Sequence, residues 1–455
     1  MSFIKSHFPY GMALLIGAVV FAAQSSSAIG PDDIQSYQAP AEPAGEKNND
    51  QLFPQEPKGA INLRQALSLA LMRNHSLRAF AWEIRAREAN TLQAGLLPNP
   101  TASALIENAQ GTDSYNDYNR AETTLSLSQL IELGGKRSKR AKVAKFETAL
   151  AGWDYKTARI DTFAEVTKSF IDALTAQEQL ALAKKLVQLA QKALNTATVR
   201  VAAGKAPPID QTKAKVEFSI SQIRLRKARA RVTAAYKKLA ELWGSARPVF
   251  EKVDGSLDVV ETIPQVEQLV KLIGRNPEIA RWDEQLDKYR AAVQLERAGQ
   301  IPDLTLEGGV RQLRETQDTA LVMGFSIPIQ IFNRNQGALR EARFNLTRAR
   351  EQRQATISRI RSTLAQSYQE LSSGNSAALA LRDDVLPGAQ LAFDTANVGY
   401  REGKFSFLEV LDAQRVLFEV KSEFINTLSA YHKAVADVER LIAGGINLSS
   451  MNGEK

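Results

Sequence analysis

Residues Ala94 to Asn108 read AGLLPNPTASALIEN, and residues Ala298 to Gly309 read AGQIPDLTLEGG. Each joins the end of an Ala-rich helical stretch, a proline corner and the start of a short alternating strand. The first is followed by ETTLSLSQLIELGGKR (Glu122 to Arg137) and the second by ALVMGFSIPIQIFNRNQG (Ala320 to Gly337), each a second strand and a basic turn leading into a much longer helix. One unit is therefore used twice.

The strands alternate cleanly. Leu304, Leu306, Gly308 and Val310 face one way, against Thr305, Glu307, Gly309 and Arg311. Leu125 and Leu127 oppose Thr124, Ser126 and Ser128, and in the fourth strand an apolar row runs from Leu321 through Met323 and Phe325 to Ile327 and Ile329. About ten residues each, apolar on one face and polar on the other, fits a membrane barrel strand. A soluble sheet packed on a helix gives the same alternation, so geometry has to decide. Four strands leave two unpaired edges, which a bilayer does not tolerate, and they are too few to close a barrel with an interior. Strands placed in a membrane must then be pooled from several copies of the chain. Ala109 to Arg120 and Leu313 to Asp318 are polar enough to be the loops at the far side.

From Lys136 to about Ala203 no proline interrupts the chain, and apolar residues recur at coiled-coil spacing, among them Val143, Leu150, Ile160, Phe170 and Leu174. At 1.5 Å per residue this predicts a helix roughly 100 Å long. The second copy matches it from Asn335 to about Val398, with a kink or short break expected at Pro387. Each long helix ends in a glycine turn and a shorter returning helix, through Val199 to Lys215 and Ala396 to Arg415. These are helical hairpin tips. Beyond the second tip a seam continues through Leu411, Phe418, Ile425, Leu428, Val435 and Ile442.

The 455-residue chain carries a net charge of +8 and no cysteine. Disulfides, thiolate metal ligands and a lipidated cysteine are excluded. The start reads as a secretory signal over residues 1–28: Lys5, an apolar run from Gly11 to Ala23, then Ser26-Ser27-Ala28 as a small-residue cleavage site. Such an address argues against nucleic acid as the partner of the basic balance, which a solvated helix face explains. Residues 29–60 have the composition of an extended arm. The remaining divisions are a first repeat at 61–243, an inter-repeat equatorial linker at 244–264, a second repeat at 265–443 and a C-terminal tail at 444–455.

Enzyme readings fail on inspection. His7, His75 and His432 are too scattered for a histidine-cluster metal site. Gly134-Gly135-Lys136-Arg137-Ser138 lacks the spacing of a phosphate loop and reads as a strand-to-helix turn. No catalytic group, cofactor or metal is expected.

Several marks together make the chain resemble the TolC-like outer-membrane efflux family: NHSLRAF and NPEIARW opening the copies, the PNP and PDL corners, SQLIELGGKR and SIPIQIFNRNQG leaving the strands, and the GKAPPID and GKFSFLEVLDAQR tips. The pieces GLLPNPTASALIEN and QLIELGGKRSKR look most like its cobalt-zinc-cadmium resistance branch. The resemblance implies a mainly α protein with a small β part, assembled as a homotrimer: a twelve-stranded β-barrel in the outer membrane, four strands per chain, continued by a periplasmic α-helical barrel. It implies a passive exit duct for an inner-membrane pump of the resistance-nodulation-division type, joined through a periplasmic adaptor, and serving metal cations. Drug efflux or type I protein secretion are other cargoes of the same fold. Many members of the metal branch carry a lipidated cysteine that this chain lacks, so barrel insertion is its expected attachment to outer-membrane lipid.

Site residues follow from the same resemblance. Glu409 and Asp412 match an acidic constriction, and three-residue spacing on a helix puts them on one face independently. In a trimer they would form cation-favouring carboxylate rings. Asp210 and Tyr400 match a latch between tip helices, whose usual arginine is replaced by Phe405. Gly204, Lys205, Gly403 and Lys404 stand at the turns where an adaptor hairpin would dock. Two readings of other classes stay open at this stage, a periplasmic coiled-coil structural protein and a basic nucleic-acid-binding helical protein.

Overall fold

A computed structural model describes residues 56–445. The expected signal peptide, residues 29–55 of the arm and residues 446–455 of the tail lie outside the described residues. The elements, in chain order, are β1 (Ala60–Asn62), α1 (Leu63–Arg73), α2 (His75–Ala94), β2 (Thr101–Glu107), β3 (Glu122–Ile131), α3 (Lys136–Ala202) and α4 (Pro208–Glu241). There follow β4 (Lys252–Asp254), α5 (Val266–Leu272), α6 (Pro277–Ala298), β5 (Leu304–Leu313), β6 (Asp318–Ser326), α7 (Gln336–Ala380), α8 (Leu386–Glu402) and α9 (Phe407–Ile442). Mainly helix with a small sheet is the class expected. The contacts divide the described chain into two compact units, residues 56–80, 155–279 and 357–445 in one, and 81–154 and 280–356 in the other.

The first unit is held by apolar clusters between helices. Ile61, Leu69, Phe170, Trp243, Phe250 and Val253 bury together around a two-stranded parallel sheet in which Ile61 faces Val253. This sheet was not among the four strands expected. Three residues are too few to show period-two alternation, and β4 lies inside what reads as a linker. The arm's last residues are tied to that linker and to the residue before it: the Glu56 carboxylate accepts from Trp243 Nε1 at 3.2 Å and from Val249 N at 2.6 Å, and Gly59 O accepts from Glu251 N at 2.9 Å.

The two opening motifs do matching work. Asn74 caps the next turn through Leu77 N at 3.0 Å and donates to Leu242 O at 2.8 Å, just past the end of α4. Asn276 does the same for Glu278 N at 2.8 Å and Leu441 O at 3.0 Å, in the last turn of α9. Each copy is thus closed on itself by one asparagine, which satisfies an orphan donor at one helix start and an orphan carbonyl at another helix end.

The long helices match the proline-free runs. α3 has 67 residues. The second copy is interrupted as expected near Pro387, by a π-helical turn over Leu381–Val385 before α8 begins. Proline removes one helical N–H and its ring crowds the preceding turn, so the helix widens by one residue where the ladder must be broken anyway. α8 then runs to Glu402, four residues past the expected end.

In the second unit the strands form one antiparallel sheet in the order β2-β3-β5-β6. Register places Leu125 opposite Val310, which faces Leu321, and Gly308 opposite Met323, so the apolar residues form continuous rows across the sheet. The expected row along β6 is shortened. The strand ends at Ser326, because Pro328 has no N–H for a ladder, and Ile327 and Ile329 lie beyond it. At the other end the two polar loops are joined by Arg314 N to Ala121 O at 3.1 Å and by an Arg120–Glu315 ion pair at 3.2 Å. The strand-to-helix turn is fixed by Asp303 from the PDL corner, which accepts from Leu133 N at 2.9 Å and from Lys136 Nζ at 2.7 Å. Lys136 is thereby a structural cation rather than a phosphate ligand.

Candidate functional site at the helical tips

Both tips close by the same pattern. In the first, Gly204 adopts φ +66°, Gly204 N donates to Val201 O at 3.0 Å and Lys205 N to Arg200 O at 2.8 Å. In the second, Gly403 adopts φ +80°, Gly403 N donates to Tyr400 O at 3.1 Å and Lys404 N to Gly399 O at 2.8 Å. A left-handed residue ending the helix lets two orphan carbonyls be met by the turn, and glycine takes that conformation without strain. Gly204, Lys205, Gly403 and Lys404 are all exposed. They stand where an approaching helix could reach them.

The hairpins pack on one another through Ala197, Ala214, Ala396, Tyr400, Phe407 and Val410. Three alanines at this seam let four backbones converge. The Tyr400 ring stands 5.3 Å from that of Phe407, and its hydroxyl is buried with no hydrogen-bond partner. Tyr400 therefore does not donate to Asp210 within the chain. Asp210, half-buried in the first turn of α4, acts on it through charge. Burial pushes the phenol pKa above its ordinary value, Arg200 opposes this, and Asp210 adds to it.

Arg200 is the residue the sequence reading missed. Its guanidinium lies 4.6 Å over the Tyr400 ring, and its Nη atoms donate to Arg401 O at 3.2 Å and Lys205 O at 3.5 Å. An arginine is thus present at the tip although Phe405 occupies the expected position; it comes from α3. Aligning Gly204 with Gly403 pairs Arg200 with Gly399. Phe405 uses the space the glycine leaves: a Cβ at 399 would overlap its ring.

Glu409 and Asp412 are both exposed on the first turns of α9. Glu409 also closes a capping box, accepting from Ser406 N at 2.6 Å while its own N donates to Ser406 Oγ at 3.4 Å. The S-x-x-E signature of Ser406 to Glu409 announces this box. Asp412 pairs with Arg415 at 2.6 Å, both side chains open to solvent, so the pair holds the carboxylate only weakly.

The sheet has two chemically distinct faces. One presents Leu321, Met323 and Phe325 at 80, 85 and 75 % exposure. On the other, Ser126 Oγ donates to Glu307 at 2.6 Å, and Arg311 reaches Thr124, Glu122 and Glu107 at 2.9, 2.9 and 3.3 Å. No helix among the described residues is long and apolar enough to cross a membrane. Nor do the described residues contain a cluster of three or more His, Asp or Glu able to hold a metal ion.

The chain matches the outer membrane efflux protein family over residues 66–245 and 269–444. It is 36 % identical to the cobalt-zinc-cadmium resistance protein CzcC of Cupriavidus metallidurans, across 86 % of this chain and 92 % of that one. It is 28 % identical to the pyoverdine export outer membrane protein OpmQ of Pseudomonas aeruginosa, across 85 and 86 %. Among solved structures, CusC superposes with a TM-score of 0.71 at 19 % identity, covering 90 % of this chain and 99 % of that one. VceC of Vibrio cholerae gives 0.70 at 18 %, covering 85 and 97 %. With that fold, both repeats and both tips accounted for, the chain belongs to the outer membrane efflux protein family.

Proposed function

We propose that three copies of this chain form a passive duct across the outer membrane for heavy-metal cations, the exit stage of a tripartite efflux system. The observation that carries this reading is a four-stranded sheet with two unpaired edges and an exposed apolar face, which only pooling with other copies makes compatible with a bilayer. Three sheets give twelve strands, the apolar face meets outer-membrane lipid, and the network around Arg311 and Glu307 faces the lumen. Glu409 and Asp412 supply carboxylates at the constriction, and Asp210, Tyr400 and Arg200 hold the tips. Gly204, Lys205, Gly403 and Lys404 receive the hairpin of a periplasmic adaptor, which links the duct to an inner-membrane pump of the resistance-nodulation-division type. The duct needs no catalytic group.

Metal cargo is favoured by the similarity to CzcC over nearly its whole length. Deleting the gene should lower tolerance to cobalt, zinc or cadmium, with recovery on returning it. If tolerance to all three is unchanged while an organic compound or a secreted protein fails to leave the cell, the metal reading falls and the duct reading stays.

A further inference from the structure

The apolar row of β6 does not stop where the strand stops. Ile327, Ile329 and Ile331 continue Leu321, Met323 and Phe325 at steps of two beyond Ser326, the last residue of the strand, and Phe332 follows. Ile329, Ile331 and Phe332 are 84, 64 and 88 % exposed. Pro328 has no N–H to offer a neighbouring strand, which argues against pairing with another copy as the cover of this stretch.

Charge changes sign along the sheet. At the far end, residues 109–120 and 313–318 each carry two acidic side chains against one basic. At the helical end, residues 132–143 carry five basic against one acidic, and residues 333–343 carry three against one. The facing corner, residues 296–303, returns only two acidic with one basic. Lys136 is neutralised by Asp303 and Arg140 by Glu132. Arg137, Lys142, Arg334, Arg340 and Arg343 are exposed and have no carboxylate partner among the described residues.

The helix ends point the same way. α3 opens with KRSKR, and neither α3 nor α7 has an acidic group in its first turn. The positive ends of both dipoles therefore lack the anion that stabilises such a terminus. The carbonyl ends of α2 and α6 are instead met inside the chain, Ala94 O by Arg140 Nε at 3.0 Å and Glu296 O by Asn335 Nδ2 at 2.9 Å.

We propose that Ile327 to Phe332 and the cations beside it dock in the headgroup layer of the leaflet on the helical side, with anionic phospholipid as the ligand. This rests on the membrane reading of the sheet above and adds a lipid preference to it. The apolar side chains enter the edge of the hydrocarbon, while guanidinium and ammonium groups on long stems reach the phosphates. At 1.5 Å per residue Arg340 stands about 6 Å along α7, about the depth of one headgroup layer. Free phosphate has the charge but gives the apolar stretch nothing to bury, so lipid is the better fit.

Native mass spectrometry of the detergent-extracted protein, mixed with phosphatidylglycerol or phosphatidylcholine of the same acyl chains, reads the preference directly. Phosphatidylglycerol adducts should exceed phosphatidylcholine adducts several-fold and survive excess inorganic phosphate. The triple variant Arg334→Gln, Arg340→Gln, Arg343→Gln should lower them at least threefold. Removing three charges from α4 by Arg226→Gln, Arg229→Gln, Lys237→Gln should leave them unchanged. Equal binding of the two lipids, displacement by phosphate, an unaffected triple variant or an equal loss in the α4 variant each overturns the proposal. Depth separates it from the duct. Because the chain has no cysteine, Phe332→Cys or Met323→Cys gives one exposed thiol for a fluorophore. In phosphatidylcholine vesicles containing phosphatidylglycerol, lipid spin-labelled near the headgroup should quench the dye at 332, and lipid labelled deep in the chain should quench the dye at 323. Quenching at 323 alone sinks the dock, with a neighbouring copy as the cover, and leaves the duct. Quenching at neither position sinks both.

Discussion

At Glu409 one carboxylate caps a helix and faces solvent, and the two properties can be separated. Glutamine still accepts from Ser406 N and keeps the capping box, while removing the charge. Glu409→Gln combined with Asp412→Asn should leave the fold intact and lower the cation-to-anion permeability ratio in planar bilayers. An unchanged ratio removes these two from the constriction. Arg200 is tested by truncation. A cation–π contact of about 0.5–2 kcal/mol and two carbonyl hydrogen bonds are lost in Arg200→Ala. Resting conductance should then rise roughly tenfold if about 1.4 kcal/mol of closure is removed. Arg200→Lys, which keeps the charge but not the fork, should lie between the two. Equal conductance in all three would show that Arg200 only packs. His432 gives a pH signature. Its Nε2 lies 2.8 Å from Leu257 O, and burial pushes the imidazole below its ordinary 6.5, opposed by that carbonyl and by Glu261 and Asp258. The unfolded chain takes the proton first as pH falls. Stability is therefore fully present above about 6.5 and declines below it, towards the lowered folded value. Thermal unfolding at about pH 7.5 and about pH 5.5 should show this drop, and His432→Gln should flatten it.

At the scale of elements, helix limits were legible because proline and glycine punctuate them. The run from Lys136 predicts α3 to within a residue at its end, and Pro387 predicts the break that the π-helical turn supplies. The alternation of Leu125 to Ser128 and Leu304 to Arg311 gave the sheet faces as found. β1 and β4 were not legible, since three-residue strands show no period. Arg200 was hidden for a different reason: it meets Arg401 and Tyr400 some two hundred positions away, and only the fold makes them neighbours. The capping box at Ser406 is legible in the S-x-x-E spacing from Ser406 to Glu409. The two asparagines that open the repeats make an element-scale prediction. Asn276 is 3 % exposed and joins the start of α6 to the end of α9. Asn276→Ala strands the Leu441 carbonyl and should cost about 1–3 kcal/mol. Asn74→Ala, at a half-buried site, should cost less; equal or absent shifts in the unfolding midpoint would contradict this closure.

Among the described residues, the surfaces left without a partner include the two edges of the four-stranded sheet and its apolar face. Self-association is the economical answer to both, because one threefold operation supplies a partner to each sheet edge at once. The measurement that bears most directly on this is the mass of the protein part after gentle detergent extraction, by sedimentation or native mass spectrometry. Three chains, each 50.0 kDa before any processing, are predicted; a single chain, or release from washed envelopes as a soluble rod without detergent, would contradict the account.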